Sequence, residues 1–331
     1  MVRFAVIGTG VVAEEAVLPA FAKLKNARLV ALVSPEKDRL RSLGKRHGVT
    51  ALYSPQDLDA CLASDAIDAI YIAVPNDLHC DLALRSARAG KHILCEKPLA
   101  LNVQEARRMQ TAARKYRVKL MTAYRLHFEA TTLSSFALAH SGKLGEIRTI
   151  SSTFGFNLTN RTNTRFRATH GGGALYDIGV YCINAARQIF RAEPIEVYAT
   201  MPPPHNRDYR EVDESVTAVL TFSGGRVATF TVSFSISQTG RLQIYGTKGS
   251  VALDPSYYFA QRLRQIITIG RKSRERTFPW VDQFATMIRV FSDCVLQDRE
   301  PPAGAGEGIA DLRVVEAIRK SAKLNRPVKL R

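Results

Sequence analysis

The sequence has few of the residues that mark disulfide-linked, metal-binding or membrane-embedded proteins. Its 331 residues include five cysteines, which are scattered along the chain and form no Cys-x-x-Cys pair. An odd number of isolated thiols argues against a disulfide framework and against a zinc knuckle, so we expect reduced, buried cysteines and no metal site. No apolar run approaches the roughly 20 residues that a membrane-spanning helix requires. We therefore expect no membrane association.

The sequence also lacks a secretion signal and an excess of acidic residues. Met1 leads directly into a short apolar strand, with no long apolar segment and no small-residue cleavage site, so the expected location is the cytoplasm. Lysine and arginine total 47 against 30 aspartates and glutamates, which gives a formal net charge of +17. These cations are spread along the chain and accompany no recognisable nucleic-acid motif. We expect no nucleic-acid partner.

Length and composition indicate a globular protein with two domains. With 46% hydrophobic residues the chain can bury sizeable cores, and a single core rarely serves more than about 250 to 300 residues. Residues 1–124 alternate short β-branched runs with segments of helical period, which predicts a doubly wound parallel sheet with crossover helices. The predicted strands are Val2–Ile7, Arg28–Val33, Ile67–Val74, His92–Cys95 and Lys119–Thr122. The predicted helices are Val12–Lys25, Pro35–His47, Leu78–Ala89 and Val103–Lys115.

Residues 125–331 show a different pattern. Strands at Ser215–Phe222, Val227–Ser235 and Arg241–Tyr245, separated by turn residues, predict an open, mainly antiparallel sheet in an α+β domain. Helices are predicted at Gly173–Phe190 and Gly308–Leu324, and the second is expected to pack back on the first domain. The polar segment 157–170 is too long for a tight connection, which makes it a candidate functional loop.

A glycine turn follows the first predicted strand and opens the first predicted helix. Its residues are Gly8, Thr9, Gly10, Val11 and Val12, with alanine at the third glycine position of the Gly-x-Gly-x-x-Gly/Ala pattern. Glycines at these positions allow a tight turn and a close approach to a pyrophosphate, which binds at the helix amino terminus where free N–H groups point outward. The turn therefore predicts a dinucleotide site.

The end of the second predicted strand indicates which dinucleotide is bound. An NAD site usually presents a carboxylate here to the ribose hydroxyls, whereas this chain has Ser34. A serine does not repel a 2′-phosphate, and Lys37 or Arg39 can supply the opposite charge. The pattern favours NADP. NAD stays open, because a shift in register would turn Glu36 into the ribose-binding carboxylate.

Further segments stand at the predicted carboxyl ends of strands, where open α/β sheets bind ligands. Val74, Pro75, Asn76 and His79 follow the third strand, and Glu96, Lys97 and Pro98 follow the fourth. Together with the glycine turn, with AYRLHF from Ala123 and with GGGALYDIGVY from Gly171, they resemble the glucose-fructose oxidoreductase and inositol dehydrogenase superfamily. The resemblance covers nearly the whole chain. It is greatest to the branch that contains glucose-fructose oxidoreductase, dimeric dihydrodiol dehydrogenase and D-xylose dehydrogenase.

The resemblance implies a nicotinamide-dependent oxidoreductase acting on CH–OH groups. In that branch the lysine of the Glu-Lys-Pro motif and the tyrosine of the Asp-Ile-Gly-x-Tyr motif meet beside the nicotinamide, and here these are Lys97 and Tyr181. Alcohol oxidation releases a proton as the hydride leaves, so Tyr181 is the implied acid–base group, with Lys97 favouring its anionic form. Asp177 precedes Tyr181 by one helical turn and is expected to orient substrate hydroxyls.

The resemblance also leaves several questions open. Many superfamily members have histidine in place of Tyr181, so inositol is not the implied substrate, and sugars, polyols and diols all stay possible. Arg125 and Arg167 are further candidates for contacts with cofactor or substrate, although a surface ion pair explains Arg167 equally well. Residues 125–331 are expected to bind the substrate and to form a homodimer or homotetramer. An alternative function is a non-catalytic dinucleotide-binding sensor, against which the presence of both Lys97 and Tyr181 argues.

Overall fold

The structure is a computed structural model that describes residues 1–330. Contacts divide these residues into two compact units. The first unit comprises Met1–Phe128 and Asp282–Ile309, and the second comprises Glu129–Val281 and the residues from Ala310 onward. Within residues 1–330, no helix is both long and apolar enough to cross a membrane.

Helices occur in both units. The bounds of the α-helices are α1 Leu18–Phe21, α2 Lys37–His47, α3 Leu58–Ala63, α4 His79–Arg88, α5 Val103–Lys115, α6 Ala130–His140, α7 Val180–Phe190, α8 Gln283–Leu296 and α9 Ala305–Leu324. Two π-helical segments, Ala13–Val17 and Leu175–Gly179, lead directly into α1 and α7. Such segments are rare and often lie at functional sites.

The first unit is built on a six-stranded parallel sheet. Its strands are β1 Val2–Ile7, β2 Ala27–Val33, β3 Ala51–Tyr53, β4 Ala69–Ile72, β5 His92–Cys95 and β6 Leu120–Thr122, in the order β3-β2-β1-β4-β5-β6. Every residue of β4 is buried, as expected for a strand covered by helices on both faces. The strand order reverses between β1 and β4, which is where doubly wound sheets bind their ligands. The predicted doubly wound parallel sheet is confirmed.

The second unit contains a nine-stranded mixed sheet. Its strands are β7 Ile147–Gly155, β8 Glu196–Thr200, β9 Ser215–Phe222, β10 Arg226–Ser233, β11 Thr239–Gly246, β12 Gly249–Leu253, β13 Arg264–Ile269, β14 Lys272–Thr277 and β15 Val328–Lys329. Their order is β14-β13-β12-β11-β7-β10-β9-β8-β15, and all neighbours pair antiparallel except β7 and β10. The predicted open, mainly antiparallel sheet is confirmed.

The core of the second unit lies on one face of this sheet. Along β9 and β10 the buried residues alternate, with Val216, Leu220 and Phe230 facing inward. Helix α7, almost wholly buried, packs against β7 on this side. Arg187 of α7 forms a buried ion pair with Asp311 of α9, with 2.6 Å between Nη1 and Oδ1. The opposite face carries half-exposed residues, and β14 is exposed along its whole length.

Some predicted elements differ from the structure in their bounds. The strand predicted at Ile67–Val74 is shorter in the structure and spans Ala69–Ile72. The Ile67 amide donates to the Ser64 carbonyl in a turn before the strand, and the chain leaves the sheet after Ile72. The predicted helix Val12–Lys25 ends at Phe21 and contains the first π-helical segment. Strand β3 was not predicted, since three residues are too few to show a period. Helices α3, α6 and α8 were also missed.

Candidate active-site residues

The glycine turn brings the ends of β1 and β4 together. Gly8 has a φ of +98°, and a Cβ there would overlap the carbonyl oxygen of Ala73 and lie 2.6 Å from its carbonyl carbon. A Cβ on Gly10, in contrast, would meet no atom within 4 Å. The Gly10 backbone therefore borders open space, and the exposed Val11 follows it. This open backbone at the start of a helix fits the pyrophosphate of a dinucleotide, because free N–H groups stabilise an anion there.

Ser34 links the end of β2 to the glycine turn. Its side chain is only 3% exposed, and its hydroxyl forms a 2.7 Å hydrogen bond with the hydroxyl of Thr9. The first charged residues that follow Ser34 along the chain are Glu36 and Lys37, and both are exposed to solvent. Position 34 therefore carries a buried hydroxyl instead of a carboxylate. The Glu36 carboxylate lies on the solvent side, 3.7 Å from a guanidinium nitrogen of Arg39.

Arg39 takes part in an ion cluster that sequence reasoning missed. Its guanidinium donates to Glu14 Oε2 at 2.7 Å, and Arg46 donates to Glu14 Oε1 at 2.8 Å. The hydrogen bond from Arg46 is the main cause of a lowered pKa of the Glu14 carboxyl, with Arg39 acting in the same direction. The Arg39 Nε atom is buried and has no hydrogen-bond partner among residues 1–330. Glu14 therefore holds Arg39 beside the helix that starts at the glycine turn.

His79 connects the turns that follow β4 and β5. Its ring is fully buried, with Nδ1 3.0 Å from the carbonyl oxygen of Pro98 and Nε2 3.0 Å from that of Val74. Burial is the main cause of its lowered pKa. Since both ring nitrogens face carbonyl groups, His79 positions the turns that carry Pro75 and Asn76 on one side and Lys97 on the other.

The turn after β5 places Glu96 and Lys97 at the carboxyl edge of the sheet. Tyr71 donates its hydroxyl to Glu96 Oε1 at 2.8 Å, and burial raises the pKa of the Glu96 carboxyl while Lys97 opposes that rise. Lys97 is half-buried. Arg125, also in the first unit, is buried and donates to Gln283 Oε1 at 2.8 Å. The partners Tyr71 and Gln283 carry no sequence signal.

In the second unit, the three consecutive glycines pack against the loop that precedes them. A Cβ on Gly172 would lie 2.8 Å from the carbonyl carbon of Arg165, and the Gly173 amide donates to the Arg165 carbonyl at 3.0 Å. Gly173 has a φ of +102°, and a Cβ there would lie 2.8 Å from Asp213 Cγ. Asp213 in turn accepts from the Leu175 amide at 2.7 Å. Glycine is thus required for both close approaches.

Asp177 and Tyr181 lie one turn apart, in the second π-helical segment and at the start of α7. Both Asp177 oxygens accept from Arg165, with distances of 2.6 Å from Nε and 3.3 Å from Nη2. Tyr181 is 6% exposed, and its ring contacts Phe154 and Tyr257. Because Asp177 and Tyr181 are four residues apart, they share one face of the helix.

Arg167 and Arg165 both lie in the polar segment 157–170, and the sequence predicted a contact with cofactor or substrate only for Arg167. Arg167 is mostly exposed and lies 3.7 Å from Glu211, the geometry of a weak surface ion pair. Arg165 forms the forked pair with Asp177 described above. No motif in the sequence distinguishes Arg165 from Arg161 and Arg167 in the same loop.

No metal site accompanies these residues in the part of the chain that the structure describes. Among residues 1–330 no group of three or more histidine, cysteine, aspartate or glutamate side chains could hold a metal ion. The side chains described above can perform proton transfer and electrostatic stabilisation, beside a backbone cradle suited to a dinucleotide.

Both halves of the chain match families of known proteins. Residues 2–124 match the oxidoreductase family with an NAD-binding Rossmann fold, and residues 136–252 match the GFO/IDH/MocA C-terminal domain. An uncharacterised oxidoreductase of Rhizobium meliloti is 34% identical, over 98% of this chain and 97% of its own. The NADP-dependent D-xylose 1-dehydrogenase 2 of Haloferax volcanii is 28% identical, over 99% of both chains.

Solved structures agree with these matches. An aldose-aldose oxidoreductase from Caulobacter crescentus, complexed with glycerol, has a TM-score of 0.95 at 34% identity over 99% of both chains. A 3-ketoreductase from Actinomadura kijaniata, in complex with NADP and TDP-benzene, has a TM-score of 0.89 at 29% identity over 97% of both chains. The chain is therefore an oxidoreductase and belongs to the GFO/IDH/MocA family.

Proposed function

We propose that the protein transfers a hydride between NADP and a hydroxyl- or carbonyl-bearing carbon of a sugar, polyol or diol. The observation that carries this proposal is the joint presence of Lys97 beside the dinucleotide-type sheet edge and of Tyr181 with Asp177 at the start of α7. The 3-ketoreductase from Actinomadura kijaniata has been solved with substitutions at one lysine and at one tyrosine. Those two positions are separated by the same number of residues as Lys97 and Tyr181, which supports the assignment.

The first unit would hold the dinucleotide. Its proposed binding residues are Gly8, Thr9, Gly10, Val11, Val12, Ser34, Lys37, Arg39, Val74, Pro75, Asn76, Glu96, Lys97 and Arg125, with His79 positioning two of the turns. Arg167, which belongs to the second unit, is a further candidate. NADP is preferred because position 34 has no carboxylate to repel the 2′-phosphate, and because Lys37 and the guanidinium of Arg39 supply positive charge. When bound, the nicotinamide supplies the hydride acceptor or donor.

The second unit would supply the proton chemistry. In the oxidative direction, Tyr181 accepts the hydroxyl proton of the substrate as the carbon loses its hydride, and in the reductive direction it returns that proton to the carbonyl oxygen. Lys97 is proposed to stabilise the negative charge on the tyrosine oxygen, and Asp177 to orient substrate hydroxyls. A positioned acid–base group of this kind contributes about 100-fold to 10,000-fold in rate.

We also propose a cytoplasmic homodimer or homotetramer that associates through the open face of the nine-stranded sheet. That face is half-exposed, and Tyr198 of β8 and Tyr245 of β11 are among its exposed large side chains. A continuous surface of this kind is typical of a subunit interface. A monomer of 36.6 kDa at all concentrations in sedimentation would contradict the proposal.

The test of function starts with the purified protein. Nucleotide that copurifies is identified by mass spectrometry, and aldoses, polyols and diols are then screened with NADP⁺ and NAD⁺ by absorbance of the reduced cofactor. We expect NADP-linked oxidation of at least one of these compounds. Tight NADP binding without turnover across the whole panel, in both directions, would instead favour a dinucleotide-binding sensor.

A further inference from the structure

The backbone of Arg165 is held at three points by its surroundings. The Asn163 side chain accepts a hydrogen bond from the Arg165 amide at 3.0 Å. The Gly173 amide donates to the Arg165 carbonyl at 3.0 Å, and Gly172 packs directly against that carbonyl. The neighbouring amide of Gly172 donates to the carbonyl of Arg167 at 3.0 Å. Since only glycine fits at Gly172, the glycine run fixes where the Arg165 side chain begins.

The Arg165 side chain is directed at Asp177. The two hydrogen bonds between them form a forked pair, which is the strongest common geometry for an arginine and a carboxylate. The side chains are 35% and 15% exposed, so water screens this pair only in part. By contrast, Arg161 in the same loop contacts Asp208 at 3.0 Å with a side chain that is 76% exposed.

The pair lies within electrostatic reach of Tyr181. Asp177 is the main cause of a raised pKa of the Arg165 guanidinium, and Tyr181 adds to the rise in that pKa. On its other side, the Tyr181 ring is closed in by Phe154 and Tyr257, at centroid distances of 5.8 Å and 6.5 Å. Tyr257 is buried and has a φ of +68°, a strained conformation that is common beside functional groups.

We propose that Arg165 is a positioning residue for the proton transfer at Tyr181, acting through Asp177. The guanidinium offsets the negative charge of the Asp177 carboxylate and fixes its orientation. The carboxylate then opposes less strongly the negative charge that develops on the Tyr181 oxygen. Without Arg165, the carboxylate stays one helical turn from Tyr181 and repels that charge. The inference rests on the proposed function in one respect, namely that Tyr181 exchanges a proton with the substrate.

The experiment compares R165Q and R165K with R161Q, a matched control that removes an exposed arginine–aspartate pair from the same loop. On the best substrate of the panel, we expect R165Q to lower kcat about 10-fold to 100-fold. The KM for NADP⁺ and the thermal unfolding midpoint should stay near wild-type values. R165K, which keeps the charge, should recover part of kcat, and R161Q should match the wild type. Because Arg165 acts through Asp177, the losses in kcat caused by R165Q and D177N should be non-additive in the double variant.

A second measurement does not depend on turnover. N-acetylimidazole acetylates nucleophilic tyrosine oxygens, and the rate at Tyr181 is followed by peptide mass spectrometry against the exposed Tyr116 as internal standard. We expect R165Q to slow acetylation of Tyr181 several-fold relative to Tyr116, and R161Q to leave the ratio unchanged.

The outcomes separate the two proposals. Slower labelling of Tyr181 in R165Q, with a wild-type protein that oxidises and reduces nothing in the panel, supports the action of Arg165 on the Tyr181 oxygen and counts against the proposed function. Equal labelling and equal kcat in R165Q and R161Q would overturn the inference and leave the proposed function standing. Equal losses of unfolding midpoint and of kcat in R165Q and R165K would also overturn it, since they indicate a structural role.

Discussion

Replacing Gly8 by alanine should destabilise the first unit, because the turn leaves no room for a side chain at this position. The new Cβ would overlap the Ala73 carbonyl oxygen and lie 2.6 Å from its carbon, so β1 and β4 must separate. Forced overpacking of this kind costs about 1–3 kcal/mol, and a non-glycine residue at a φ of +98° adds a strain of about 1–3 kcal/mol. We therefore expect Gly8→Ala to lower the free energy of unfolding by about 2–6 kcal/mol.

Two other glycines provide matched controls. Gly48 ends α2 with a φ of +67° and an open side, so Gly48→Ala introduces backbone strain without a clash. Gly10→Ala introduces neither a clash nor a positive φ, but its methyl group projects from the backbone proposed to contact the pyrophosphate. Gly10→Ala should keep wild-type stability while weakening dinucleotide binding at least about 10-fold.

Urea unfolding followed by circular dichroism measures the stability of the three variants, and NADPH fluorescence measures their affinity. The expected order of stability loss is Gly8→Ala, then Gly48→Ala, then Gly10→Ala. A Gly8→Ala protein as stable as Gly48→Ala would show that the Ala73 carbonyl does not press on this turn. Wild-type NADPH affinity in Gly10→Ala would refute the assignment of the open backbone as the pyrophosphate cradle.

Tyr181→Phe should lower kcat about 100-fold to 10,000-fold and leave the NADPH dissociation constant nearly unchanged, because it removes a proton-carrying oxygen and little volume. Wild-type turnover of this variant, with a primary isotope effect on hydride transfer, would remove Tyr181 from the mechanism. Lys97→Met should slow the reaction and also alter cofactor affinity, and its loss in kcat/KM should be non-additive with that of Tyr181→Phe. Ser34→Asp should invert the preference for NADP over NAD in fluorescence titrations, and tighter NAD binding by the wild type would show that Glu36 serves the ribose. Asp311→Ala removes the carboxylate from the buried guanidinium of Arg187 and should cost about 3–5 kcal/mol in urea unfolding, because Glu193, which also pairs with Arg187, is exposed and screened by water.

The sequence alone determined the kind of fold and predicted the candidate chemical groups. Strands such as Val2–Ile7 and Ser215–Phe222 could be located to the residue, because their apolar or alternating patterns are local properties of the chain. The glycine turn, Lys97 and Tyr181 were found through motifs, which are also local. Short elements such as Ala51–Tyr53 could not be found in this way, since they contain too few residues to show a period.

Only the tertiary structure decided which side chains meet. It joined Asp282–Ile309 to the unit that begins at Met1, and it brought Glu14 to Arg39. It also paired Arg165 with Asp177 and placed Arg167 beside Glu211. These contacts depend on distances between residues that are far apart along the chain or on different turns of it. Periodicity and spacing describe each segment separately, so contacts of this kind appear only once the segments have packed.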